Sequence, residues 1–278
     1  MARKSKYAIY ETGRPVDFST PVGCEFPSVT TIDCRDKSTQ LMYWATNEMA
    51  KYLKEEYPKL DEVFSNEDDI DPELYYYQIV DHAKTHYKKL SAEAAGIGTE
   101  VHNAIEMFVK DGEIKEEFST PEAQNSFNAF LEWSDDNVEK YIESERVVFS
   151  EQHGYAGCLD VIALMKDGRV MLIDFKTSKA IYDSMVMQLS AYAGARSEMR
   201  GTYKFRNTDG DTLSELYGEI NIDGAGILRI DKETGMPEWK DFTEKLDRQC
   251  NAFLCLVRFY YEEKYRQLKN NPWVISNF

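Results

Sequence analysis

The spacing of apolar residues changes period along this chain. Over residues 36–57, Leu41, Trp44, Met49 and Leu53 recur on one side at helical spacing and predict a helix. The segment before about Ser28 is broken by Pro15, Pro21 and Pro27 and reads as irregular. Residues 61–70 form an acidic stretch that reads as a loop. Asp71-Pro72-Glu73 is a helix start, an N-cap followed by proline at the first helical position. That helix is expected to reach about Lys89. Residues 92–110 form a second helix or continue the first, and Asp111-Gly112 stops it. Thr120-Pro121-Glu122 opens another helix, expected to run to about Ile142.

The pattern then turns to strands, beginning at residues 145–151. Leu159–Met165 is apolar on both faces except at Asp160, and Val170–Lys176 is apolar except at Asp174 and Lys176. Continuous apolar runs of this kind are central strands covered on both sides. A helix over 183–196 follows, then a polar stretch over 199–215 with a loop tip at 207–211. Residues 217–222 and 225–231 predict a second hairpin turning at Asp223-Gly224. After a turn at Gly235 and a short strand near Trp239, residues 243–270 predict a final helix. The order gives an α/β fold with a mixed central sheet flanked by helices. The expected organisation is an N-terminal helical region, 1–90, packed on a core, 91–278, as one compact unit.

Two carboxylates and a lysine on adjacent apolar strands are costly to bury unless they pair, hydrogen-bond or hold a metal. The turn at Lys166-Asp167-Gly168-Arg169 decides whether they can meet. A two-residue Asp-Gly loop would set Asp160 opposite Phe175. A three-residue loop with Gly168 left-handed sets Asp160 opposite Asp174, with Cβ atoms roughly 5 Å apart. Lys176, two residues on, shares that face. A shared metal therefore requires the odd-length loop.

Composition narrows the setting. Hydrophobic content of 42% with 13% aromatic residues belongs to a globular chain. No apolar run has the length of a membrane span and the N-terminus has no hydrophobic signal core, so a cytoplasmic protein is expected. The five cysteines, Cys24, Cys34, Cys158, Cys250 and Cys255, include no Cys-x-x-Cys pair, so neither zinc nor an iron–sulfur cluster is signalled. A formal charge of −16 opposes nucleic-acid binding by the body as a whole. Basic residues nevertheless gather at Lys88-Lys89, at Lys176 and Lys179, and across Arg196, Arg200, Lys204 and Arg206. Trp44, Tyr75 and Tyr76 fit either the core or stacking on bases.

Further residues extend the pattern around these charges. Gly98-Thr99-Glu100-Val101-His102 puts His102 inside a helix, and Gln188 and Tyr192, at i and i+4, share a helix face. In order, Gly-Thr-x-x-His, Glu145, Gly157-x-x-Asp160, Asp174-x-Lys176 and Gln188-x-x-x-Tyr192 resemble the RecB-like exonuclease branch of the PD-(D/E)xK nuclease superfamily. Motif detail covers about residues 96–195. The segment Pro27-Ser28-Val29-Thr30 and the Trp44 helix add a likeness to its mitochondrial genome maintenance and phage-encoded members.

The resemblance implies a restriction-endonuclease-like core without the iron–sulfur cluster of some relatives, acting as a metal-dependent DNA exonuclease on single strands or DNA ends. It implies Mg²⁺ or Mn²⁺ held by His102, Asp160, Asp174 and the backbone carbonyl of Phe175, with the imidazole favouring Mn²⁺. Lys176 would orient the attacking water, Gln188 and Tyr192 would position the strand or phosphate, and Glu145 would support the ligands from behind. Phage-like relatives would place the protein in a host cytoplasm. A nuclease-fold binding subunit with little activity and a structure-specific endonuclease are the competing readings. Cleavage polarity and oligomeric state are left open.

Overall fold

The computed structural model describes residues 7–11, 26–33, 38–65, 71–207, 212–232 and 234–267. The order is β1 (Tyr7–Glu11), α1 (Val29–Asp33), α2 (Ser38–Ser65), α3 (Pro72–Asp111), α4 (Pro121–Asn137), β2 (Val138–Ser150), β3 (Tyr155–Met165), β4 (Val170–Lys176), α5 (Asp183–Glu198), β5 (Gly201–Asn207), β6 (Thr212–Tyr217), β7 (Gly224–Ile230), β8 (Pro237–Asp241) and α6 (Leu246–Gln267). The fold is α/β. A five-stranded sheet in the order β2-β3-β4-β7-β8 is mixed, because β4 and β7 run parallel and every other pair is antiparallel. A second sheet has the order β1-β5-β6. No helix among the described residues is long and apolar enough to cross a membrane.

The described residues divide into two compact units, one within 35–97 and one formed by the rest, and the division falls at Ile97/Gly98 inside α3. In the smaller unit α2 lies against the first part of α3 through Trp44 edge-on to Tyr87, with ring centroids 6.2 Å apart, and Tyr52 at 4.6 Å from His86. Asp71 caps α3 as its sequence suggests, its Oδ1 accepting from the Glu73 N–H at 3.0 Å. In the larger unit the sheet is covered on both faces. Leu172 and Ile162 pack with Val186, Leu189 and Tyr192 of α5, whereas Phe175, on the opposite face of β4, meets Phe130 of α4 at 5.4 Å. On α4 the spacing Ala123, Phe127, Phe130, Trp133 supplies that buried stripe. On the α5 side α1 inserts Val29 and Ile32, both fully buried.

Several elements depart from what local pattern predicts. The first segment is not wholly irregular, since β1 pairs with β5. Helix α2 runs through Pro58 and past Asp61 to Ser65, and residues 66–70 lie outside the described residues. Of the two alternatives over 71–110 the continuous helix forms, ended by Gly112, whose N–H reaches the Phe108 carbonyl. Helix α4 stops at Asn137 rather than Ile142. The Lys166 N–H bonds the Asn137 carbonyl, and Val138–Tyr141 pair with β3 instead of propagating the helix. The polar stretch 199–215 is the β5–β6 pair, with its tip, 208–211, outside the described residues. Tyr217 pairs with Gly201, so the expected 217–231 hairpin does not form, and β7 instead joins β4 in parallel. The final helix begins after a 3-10 turn at Thr243–Lys245, and Asn270 lies outside the described residues, as do Cys24 and Cys34.

Candidate functional site

The β3–β4 turn is the three-residue form. The Met165 N–H bonds the Arg169 carbonyl at 2.8 Å, the Gly168 N–H bonds the Met165 carbonyl at 2.9 Å, and Gly168 has φ +88°. The ladder runs Leu164↔Val170 to Val161↔Ile173, and the next step sets Asp160 opposite Asp174. There the side chain replaces a ladder bond, Asp160 Oδ2 accepting from the Phe175 N–H at 2.8 Å. Both carboxylates are buried. Lys176, from the same face of β4, holds Asp174 Oδ2 in an ion pair. Burial pushes the Asp174 carboxyl up to about 6; the Lys176 ammonium opposes that shift and the neighbouring Asp160 adds to it.

His102 arrives from the last third of α3, its Nδ1 3.7 Å from Asp160 Oδ1. Helix and following loop are tied together just before it, where Glu100 accepts from Lys115 Nζ at 2.6 Å and the Ser119 N–H at 3.0 Å. Glu145 comes from the other side. Ser144 pairs with Val161 and Arg146 with Leu159, so Glu145 faces Asp160 across the strands. It also has φ +48°, the one non-glycine residue with positive φ among those described. A glutamate in that conformation inside a long strand is strained, at a cost of order 1–3 kcal/mol, and such strain concentrates at functional sites. Ligand atoms of His102, Glu145 and Asp160 all lie within 4.8 Å of one another. The Cys158 thiol, on the Asp160 face of β3, donates to Glu145 Oε2 at 3.5 Å.

The structure therefore brings together the residues singled out from sequence, with a different internal grouping. Glu145, expected behind the ligands, stands among the potential donors with His102 and Asp160. Asp174 is engaged by Lys176, and Phe175 contributes its N–H to Asp160 while its ring lies 6.3 Å from the His102 ring. No single register could have been read for Glu145 from sequence, since the β2–β3 ladder shifts between Val138 and Lys140 and again between Tyr141 and Glu143. Counting on from Val138↔Met165 without those two shifts would set Glu145 opposite Cys158 instead of Asp160.

On α5, Gln188 Nε2 donates to the Tyr192 hydroxyl at 2.8 Å. Tyr192 is buried, and burial together with the nearby Asp174 charge pushes its hydroxyl well up, so it stays protonated. Its ring lies on the Gly157 backbone: a Cβ built at Gly157 would stand 2.4 Å from Tyr192 Cε1. The glycine of Gly157-x-x-Asp160 is thus a close-approach residue. Gly157→Ala is expected to push the ring away from the carboxylates and cost about 1–3 kcal/mol, measured by denaturant unfolding. Unchanged stability would show that the ring has another place to go.

The basic residues that gather in the sequence differ in exposure. Arg196 is buried and bonded to Glu143 through Nε at 2.8 Å and Nη2 at 2.7 Å, so it is a structural ion pair rather than a contact for a polyanion. Arg200 is exposed and 3.3 Å from Glu219. Lys204 and Arg206 lie on β5, and their side chains fall outside what is described. Lys179 is exposed. Trp44 and Tyr75 are half-buried and Tyr76 is exposed beside Tyr77.

Donors held within 4.8 Å suit one hard divalent cation, whose oxygen ligands sit about 2.0–2.6 Å from it, and the imidazole with two carboxylates suits Mn²⁺ as well as Mg²⁺. The chain matches no family model, and no curated protein matches it.

Proposed function

We propose that the protein is a divalent-metal-dependent DNA exonuclease that hydrolyses phosphodiester bonds in single strands or at DNA ends. The observation that supports this reading best is the junction of two charge groups on one strand pair. His102, Glu145 and Asp160 converge within 4.8 Å, and Asp174, ion-paired with Lys176, stands opposite Asp160 on β4. A purely structural salt bridge would need neither the histidine nor a strained glutamate opposite Asp160.

A divalent cation held by His102, Glu145 and Asp160 would neutralise charge on a phosphate and lower the pKa of a bound water. The side chains contribute the rest. The Phe175 N–H fixes one oxygen of Asp160, leaving Oδ1 towards His102. Lys176, oriented by Asp174, presents an ammonium that aligns an attacking water and stabilises charge building on the phosphate oxygens. Tyr192, held by Gln188 and packed on Gly157, closes the α5 side against solvent.

The test is digestion of end-labelled linear DNA, single- and double-stranded, and of circular single strands, in Mg²⁺ or Mn²⁺. Linear DNA should be cut and circles spared, and Lys176→Ala should lower the rate at least about 100-fold, as loss of one preorganised charge-stabilising donor does. Cleaved circles would change the reading to an endonuclease. Binding without cleavage by the wild type would replace it with a DNA-binding subunit.

A further inference from the structure

The segment between β4 and α5 links the two halves of the site, since it leaves Lys176 and leads to the helix of Gln188 and Tyr192. Its own bonds are few. Ser178 Oγ donates to the Ala180 carbonyl at 2.8 Å, and the cap residue of α5, Tyr182, makes no side-chain capping bond. What holds it is Arg229. This residue pairs with Lys176 in the parallel β4–β7 ladder, and its Nη1 donates to the Ser178 carbonyl at 3.2 Å and the Lys179 carbonyl at 3.3 Å. The guanidinium is itself aimed from behind: Nε donates to Glu238 Oε2 at 2.6 Å, and Nη1 lies 3.2 Å from Asp231 Oδ2. The same segment touches the helix of His102. An added Cβ at Gly98, one turn before the histidine, would stand 3.2 Å from Thr177 Oγ1.

We propose that Arg229 is a positioning residue for the reaction, a clamp on residues 177–180 that fixes Lys176 relative to His102 and Asp160. The proposal rests on the nuclease reading. Lys176 is the last residue of β4, so the direction of its side chain is set on one side by the ladder and on the other by the segment that follows. Arg229 constrains both, being the ladder partner of Lys176 and the donor to the next two carbonyls but one. A guanidinium suits this task because its planar fork reaches carboxylate and carbonyls together, which a lysine can do only in part.

Arg229→Met keeps the aliphatic stem, Glu238 keeps the Lys240 ammonium at 2.6 Å and Asp231 keeps the Thr234 N–H at 3.0 Å, so the fold should survive. In this variant kcat is expected to fall about 10–100-fold, the usual cost of losing a group that orients reacting side chains. KM and Mn²⁺ affinity, measured by calorimetry, should change less than about threefold. Amide exchange of residues 177–182 in the metal-free protein should accelerate. Arg229→Lys should recover part of kcat, and Glu238→Gln, which weakens the anchor together with the surface pair to Lys240, should fall between. If Arg229→Met does not fold, Glu238→Gln carries the same test. Unchanged kcat, unchanged exchange of the segment, or a loss confined to KM would each overturn the clamp while the wild type still cleaves. A wild type that cleaves nothing would overturn the nuclease reading and the proposal with it.

Discussion

Asp174→Asn is expected to abolish metal-dependent cleavage and, at the same time, to make the metal-free protein more stable at neutral pH. The first effect follows from position. Without its charge Asp174 no longer holds Lys176, and the site loses one of the negative groups that attract a cation. The second follows from burial. The folded carboxyl titrates near 6, above its ordinary value of 3.8, because desolvation outweighs the help of Lys176. A carboxyl whose folded pKa is raised binds its proton more tightly in the native state, so stability falls as pH rises from about 4 to about 6 and stays reduced above that. Asparagine removes the ionisation. The gain at pH 7 is on the order of 2–3 kcal/mol, and below pH 4 it should vanish. Thermal unfolding of both proteins across pH 4–8, without divalent ions, checks this. Retained cleavage would refute the assignment of the site; a variant less stable at pH 7 would show that the ion pair with Lys176 outweighs burial.

Arg196→Met should be among the most destabilising single substitutions in the chain. Arg196 is 1% exposed and spends its donors on both Glu143 oxygens, the Met199 carbonyl at 3.2 Å and the Gly218 carbonyl at 3.1 Å, with Tyr217 5.3 Å from its guanidinium carbon. Removing it leaves Glu143 charged, nearly buried and alone. Breaking a buried pair in this way costs about 3–5 kcal/mol, roughly a 10 °C fall in midpoint for a chain of this size. Arg196→Met combined with Glu143→Leu should recover much of that loss, because the penalty lies in the stranded charge. A double variant as unstable as the single one would show that the carbonyl bonds dominate. Neither variant should alter the salt dependence of DNA binding, which an exposed phosphate contact would.

The parts of the fold that were legible in sequence are those fixed by local chemistry. Asp71-Pro72 and Thr120-Pro121 start helices where they should, and the threonine accepts the Ala123 N–H at 3.2 Å. The turn at Gly168 could be deduced because only one loop length sets Asp160 opposite Asp174. What escaped depended on distant partners. Nothing in residues 138–142 forbids helix; they become strand because β3 offers them a ladder. Tyr7–Glu11 is a strand only through β5, and Gly224–Ile230 joins β4 rather than residues 217–222 before it. Glu145 was visible as a residue, whereas its left-handed backbone, and so its place beside His102 and Asp160, required the register of two strands. Arg196 looked like any basic surface residue until Glu143, on β2, gave it a partner.

The parallel pairing of β4 with β7 also orders events in time. The β3–β4 hairpin closes over three residues, a step of microseconds. Strand β7 can reach β4 only after the chain from Lys176 to Gly224 has been gathered in, a non-local closure that slows folding. Asp160 and Asp174 are therefore expected to face one another while still hydrated, and to lose their water when β7 docks beside β4. The rate-limiting barrier would then include desolvation of the very carboxylates that the site uses. Refolding should consequently be faster at pH 4, where Asp174 can take up a proton as it is buried, than at pH 7.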